Sequence, residues 1–162
     1  MSNTFTITLQ DLKTTTRVGK IISQAILDRD LRHIFMTGAL GSGKTTLTGT
    51  IVEHLPNAAN CEVASPSFSL INYYPTRPKI QHADLYRCQD NIPDELLDNL
   101  ENPNIVTLLE WSQFLPQAFW PAEVLHLTFD FGDVAINSRR LTWQALGAVT
   151  RDTLAFIQTK LM

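Results

Sequence analysis

The stretch Ile34-Phe35-Met36-Thr37-Gly38-Ala39-Leu40-Gly41-Ser42-Gly43-Lys44-Thr45-Thr46 decides the fold. Gly38, Gly43, Lys44 and Thr45 satisfy G-x-x-x-x-G-K-[ST], the pattern of a phosphate-binding P-loop. The apolar run before it reads as a buried strand. After it, Leu47, Ile51, Val52 and Leu55 fall on one face of a helix. The pattern has a physical basis: a phosphate chain needs several backbone N–H groups pointing inward, and glycine lets the chain curl tightly enough to supply them. Residues 38–46 are therefore the expected nucleotide cradle. The helix beginning near Lys44 adds its positive end. Lys44 is expected at the β- and γ-phosphates, and Thr45 is expected to give its hydroxyl to Mg²⁺. The competing reading is a glycine-rich turn with a solvated lysine.

Upstream, Phe5, Ile7 and Leu9 alternate with polar residues as a half-buried strand does. A helix to about Arg29 follows, capped by Asp11 or by Thr14–Thr16, with Val18, Ile21, Ile22, Ala25 and Ile26 on its apolar face. The P-loop strand is thus not the first of the sheet. Downstream, the P-loop helix ends before Pro56. Strand-like pieces flank Pro66, and residues 68–86 read as a hairpin turning at Pro75-Thr76-Arg77-Pro78. Pro93 is read as the first residue of a short helix with acids in its first turn. Ile105-Val106-Thr107-Leu108-Leu109 is a nearly continuous apolar run, the mark of a buried parallel strand, and it ends at Glu110. Residues 112–122 read as an irregular connector, 123–146 as a second hairpin and the C-terminal stretch as a helix.

A chain of 162 residues with 44% hydrophobic content fits one domain, 1–162, able to bury a core. A net charge of -3 argues against strong nonspecific attraction to nucleic acid. Cys61 and Cys88 form no C-x-x-C pair and no metal-ligand spacing, so both read as free thiols, with no disulfide-linked partner expected. The N-terminus lacks the basic and apolar regions of a signal peptide, and no apolar run is long enough to span a membrane. The expected location is cytoplasmic.

A P-loop enzyme also needs an acid near its metal and a group that orients water or an acceptor hydroxyl. Glu110 is the candidate for the first, because the carboxyl ends of parallel strands are where ligands bind in open α/β sheets. Its plainer reading is a strand-end acid facing solvent. Asp84 shares a strand face with His82 and Tyr86. It either holds Mg²⁺ through water, or polarises the attacking water, or sits on an exposed strand edge. His82 alone more often has a structural role. Trp111 is either core or a shield over the site, and Arg87 either approaches phosphate or is a surface charge. Ser65 and Ser67 put hydroxyls in the loop around Pro66, which is either a γ-phosphate switch or a plain turn. Composition leaves ATP and GTP open, but no N-K-x-D-like tetrad follows Glu110 as in small GTPases.

Four blocks now carry a resemblance over roughly residues 12–131. They are residues 38–46, Ser65-Pro66-Ser67-Phe68-Ser69-Leu70, His82-Ala83-Asp84-Leu85-Tyr86-Arg87 and Leu109-Glu110-Trp111. In this order and spacing they resemble the bacterial tRNA threonylcarbamoyladenosine biosynthesis protein TsaE family, small P-loop ATPases. The resemblance implies an α/β P-loop NTPase fold, with a central, mostly parallel sheet, antiparallel additions and flanking helices. It implies ATP and Mg²⁺ as cofactors, with Lys44 and Thr45 on phosphates and metal. Ser67 matches a residue, usually threonine, whose hydroxyl is near the metal. Asp84 matches an aspartate important for hydrolysis, Glu110 an acid on the metal side, and Trp111 a tryptophan packed near the nucleotide. The implied partners are TsaB- and TsaD-type proteins, with tRNA reached indirectly through that complex. Three departures stand out. Ala39 replaces the family's usual aspartate, Ser67 replaces threonine, and Leu97-Asp98-Asn99-Leu100 lacks a common glycine.

The expected function is then a weak Mg²⁺-dependent ATPase that serves as a regulatory subunit of tRNA modification. The main alternative is a small-molecule or nucleoside kinase, which would transfer phosphate without protein partners. A third reading is a nucleotide-binding interaction module whose turnover is incidental.

Overall fold

In the computed structural model, residues 3–66, 68–88, 90–132 and 135–162 are described. The strands are β1 (Thr4–Leu9), β2 (His33–Gly38), β3 (Ile71–Tyr74), β4 (Lys79–Asp84), β5 (Ile105–Glu110), β6 (Val124–Phe131) and β7 (Arg139–Leu146). The helices are α1 (Leu12–Arg29), α2 (Lys44–Glu53), α3 (Asp94–Leu100) and α4 (Ala148–Leu161). All seven strands form one sheet in the order β1-β7-β6-β2-β5-β4-β3. The central strands β6, β2, β5 and β4 are parallel. Antiparallel pairs add β3 at one edge and β7 with β1 at the other. The architecture is the mostly parallel α/β sheet with antiparallel additions, and β2, the P-loop strand, lies in its middle.

Side-chain alternation sorts the core into two layers. Ile34 and Met36 of β2 join Val106 and Leu108 of β5 and the buried faces of α1, α2 and α4. Phe35 points the other way and joins Leu109, Val124 and the α3 residues Leu96 and Leu100. A parallel strand covered on both faces must be apolar on both, and β5 is buried at every position. Helix α1 starts where Asp11 accepts the Thr14 N–H at 2.7 Å, so the cap is Asp11 rather than a threonine. It lies against α2 so closely that a Cβ on Gly19 would sit 2.1 Å from the Thr50 hydroxyl.

Three expectations need correction. Among the described residues of segment 61–74, only Ile71–Tyr74 is strand; residues 61–66 form none, and Phe68 is exposed. Leu70 has φ 63°, which breaks extended geometry just before β3. Pro93 caps α3 from outside with φ -61° and ψ 131° and is not its first residue. Finally, β4 is no exposed edge. It lies between β3 and β5 with Ile80, Gln81, His82 and Ala83 fully buried, and it ends at Asp84, so Tyr86 is off the strand. Polar alternation misleads there because the polar groups are satisfied inside. The Gln81 amide donates to the Thr107 hydroxyl at 3.1 Å and accepts from Asn99 at 2.7 Å.

Candidate nucleotide site

The loop between β2 and α2 turns where the Ser42 N–H meets the Ala39 carbonyl at 3.1 Å. Gly41 (φ 72°) and Gly43 (φ 107°) occupy backbone conformations that side chains resist. Gly43 caps α2 without a side-chain bond, so the first-turn N–H groups face the loop with no competing side-chain acceptor at the cap.

Lys44 is buried and curls under this loop. Its ammonium donates to the carbonyls of Gly38 at 2.6 Å and Ala39 at 2.9 Å and to the Ser42 hydroxyl at 3.3 Å. It also lies 4.5 Å from the centroid of the Trp111 ring. Burial pushes the Lys44 pKa down, and the Glu110 and Asp84 carboxylates pull against that shift. Both acids are thus close enough to act on the same ammonium.

Glu110, at the end of β5, is 2% exposed. The Thr45 hydroxyl lies 3.0 Å from each of its oxygens. His82 Nε2 lies 2.8 Å from Oε1 alone. Asp84 is the register partner of Glu110 on β4. Its Oδ2 accepts from the Ser65 hydroxyl and its Oδ1 from the Tyr86 N–H, both at 2.8 Å. One cavity of about 250 Å³ is lined by Lys44, Thr45, Ser65, Asp84, Glu110 and Trp111, together with loop residues 40–43 and Thr46. Neither acid faces open solvent. Trp111 adopts a left-handed conformation (φ 57°), which lays its ring over Lys44 and against Tyr86 and Phe114. Gly38 and Ala39 enter through the carbonyls that hold Lys44. Ser67 lies outside the described residues. Arg87 sits over Phe68 at 5.6 Å and lines an adjoining hollow with Ser65 and Asp84.

Two features escaped the sequence reading. One is the support behind Glu110, where Tyr74 Oη lies 3.0 Å from His82 Nδ1. The other is a second cavity of about 460 Å³ along the same loop. Leu9, Asp11, Leu12, Asn137 and Arg139 line it, and it shares residues 41–43 and Thr46 with the first cavity. Its lining comes from three separate chain segments, so no contiguous motif announces it.

The donor set suits magnesium arriving with a nucleotide. Mg²⁺ is commonly held by one or two carboxylates plus substrate phosphates and waters, not by an all-protein cage. Among the described residues no group of three or more His, Cys, Asp or Glu could hold a metal alone, while a hydroxyl and a carboxylate meet beside the phosphate loop.

Residues 9–141 match the family model described as threonylcarbamoyl adenosine biosynthesis protein TsaE. The tRNA threonylcarbamoyladenosine biosynthesis protein TsaE of Haemophilus influenzae is 31% identical, over 81% of this chain and 85% of the relative. Its Bacillus subtilis counterpart is 32% identical, over 69% of this chain and 68% of the relative. A crystal structure of YdiB from Bacillus subtilis superposes with a TM-score of 0.76 at 21% identity, covering 98% of this chain and 97% of that one, and it speaks for the fold.

Proposed function

The chain belongs to the threonylcarbamoyl adenosine biosynthesis protein TsaE family, and we propose that it serves the threonylcarbamoyl modification of tRNA as a single-domain ATPase subunit that works with TsaB- and TsaD-type proteins. The observation that carries the reading is the meeting of the Thr45 hydroxyl with both Glu110 oxygens in the cavity that Lys44 also lines.

In this reading the triphosphate lies along residues 38–46. Its oxygens replace the carbonyls that now hold Lys44, and the ammonium neutralises the β- and γ-phosphates. Thr45 and Glu110 would hold Mg²⁺, which would supply positive charge to offset that of the phosphates. Asp84 orients the attacking water and accepts its proton, with Ser65 and the Tyr86 N–H fixing the carboxylate. Trp111 keeps bulk water off the Lys44 contacts. The second cavity takes the nucleobase: Leu9 and Leu12 offer apolar faces, while Asp11, Asn137 and Arg139 offer polar edges.

The test is ATP hydrolysis by the chain alone and with the two partner proteins. Slow turnover that rises when they are added supports the proposal. The absence of both complex formation and stimulation would overturn it.

A further inference from the structure

Glu110 has an asymmetric set of partners. The Thr45 hydroxyl touches its two oxygens equally, at 3.0 Å each. A hydroxyl has one proton, so this contact does not choose between them. His82 touches only Oε1, at 2.8 Å, in a pair whose side chains are 0% and 3% exposed. The imidazole is itself held, because its Nδ1 meets the Tyr74 hydroxyl. Burial pushes the Tyr74 pKa up, which keeps the phenol protonated as a donor. With Nδ1 accepting, Nε2–H is the donor to Glu110.

The register explains how His82 reaches that oxygen. It pairs with Leu108, and Asp84 is opposite Glu110. The imidazole therefore reaches diagonally along the strand, a span open to an aromatic side chain. Asp84 is left to Ser65 and the Tyr86 amide. Tyr74, His82 and Glu110 lie on β3, β4 and β5, and form one hydrogen-bonded line across the strands toward α2.

We propose that His82, held by Tyr74, is the positioning residue that sets the rotation of the Glu110 carboxylate, tying Oε1 and leaving Oε2 as the oxygen that serves the metal. This rests on the Mg²⁺–nucleotide reading above. Without His82, the buried carboxylate would keep one hydroxyl as its side-chain donor and would lose its orientation.

The test compares His82→Gln, His82→Asn and Tyr74→Phe with the parent chain. A glutamine amide nitrogen falls near the position of Nε2 and can still donate to Glu110. An asparagine nitrogen falls near Nδ1 and cannot. The readout is calorimetric affinity for the β,γ-imido analogue of ATP, with Mg²⁺ and in chelator, beside a melting curve. His82→Asn is expected to lose about tenfold of the Mg²⁺-dependent tightening, with affinity in chelator within about twofold. His82→Gln should stay within about threefold of the parent, and Tyr74→Phe should lose about threefold. Equal losses in the two His82 variants, or none in either, would overturn the proposal. If neither His82 variant melts cooperatively, Tyr74→Phe decides: an unchanged Mg²⁺ effect overturns it. A parent chain that binds no analogue, or binds it without help from Mg²⁺, removes the underlying reading and this inference with it.

Discussion

Two carboxylates end neighbouring parallel strands in register, yet they are held in opposite ways. Glu110 is braced by side chains of the rigid core, His82 on β4 and Thr45 in the first turn of α2. Asp84 is braced by groups outside the strands, the Ser65 hydroxyl and the Tyr86 amide. A carboxylate fixed by strands and a helix suits a task that needs constant geometry, such as holding a metal. One fixed by loops can shift when those loops move, which suits a group that acts only when the site is complete. Under the proposed function, the comparison assigns Glu110 to the metal and Asp84 to water.

Asp84→Asn keeps shape and loses the base. It should slow single-turnover hydrolysis by about 100-fold or more, the scale of general-base loss, with ATP affinity little changed. Lys44→Ala removes the cation that both acids share. Loss of charge-assisted bonds to phosphate should weaken ATP binding by about 100-fold in calorimetry. Retained affinity would break the comparison, since the acids would then face no triphosphate. Ser65→Ala tests the loop support of Asp84. Loss of one hydrogen bond, about 1 kcal/mol, predicts about fivefold slower hydrolysis with unchanged affinity for magnesium.

The smallest effect is expected at Glu123, a carboxylate outside the cleft. It accepts the Thr150 N–H and hydroxyl at 2.8 Å each and thereby caps α4. Burial pushes its pKa up, but these bonds and those from the Val149 and Ala148 N–H groups outweigh it and hold the carboxyl below its usual range. A depressed folded-state pKa means that the stabilisation is complete above the unfolded carboxyl value and is lost as pH falls through the folded one. Glu123→Ala should therefore cost about 1 kcal/mol near neutrality, and less in acid, in denaturant melts at several pH values. Nucleotide affinity should not change.

The P-loop and the strand leading to Glu110 were legible in the sequence because each is contiguous. A phosphate cradle must be built from neighbouring amides, and a doubly covered strand must be apolar at successive positions. The apolar face of α1 was legible for the same local reason, while its cap was narrowed only to Asp11 or Thr14–Thr16. His82 was not, because its meaning depends on Tyr74 and Glu110 from other strands. The strand carrying it looked half exposed because Gln81, His82 and Asp84 are polar, and a sequence cannot show that Thr107, Tyr74 and Ser65 wait inside to satisfy them. The second cavity along the loop was hidden in the same way, assembled from Leu9, Thr46, Asn137 and their neighbours. Tertiary pairing determines how polar residues on buried strands are used, and no local period records it.

The division of labour between the two acids is tested most directly by titrating Mg²⁺ into the nucleotide complexes of Glu110→Gln and Asp84→Asn and following affinity. The Mg²⁺ requirement should rise about tenfold for Glu110→Gln and stay within about twofold of the parent for Asp84→Asn. The reverse pattern, with Asp84→Asn losing its response to Mg²⁺ and Glu110→Gln keeping it, would contradict the assignment.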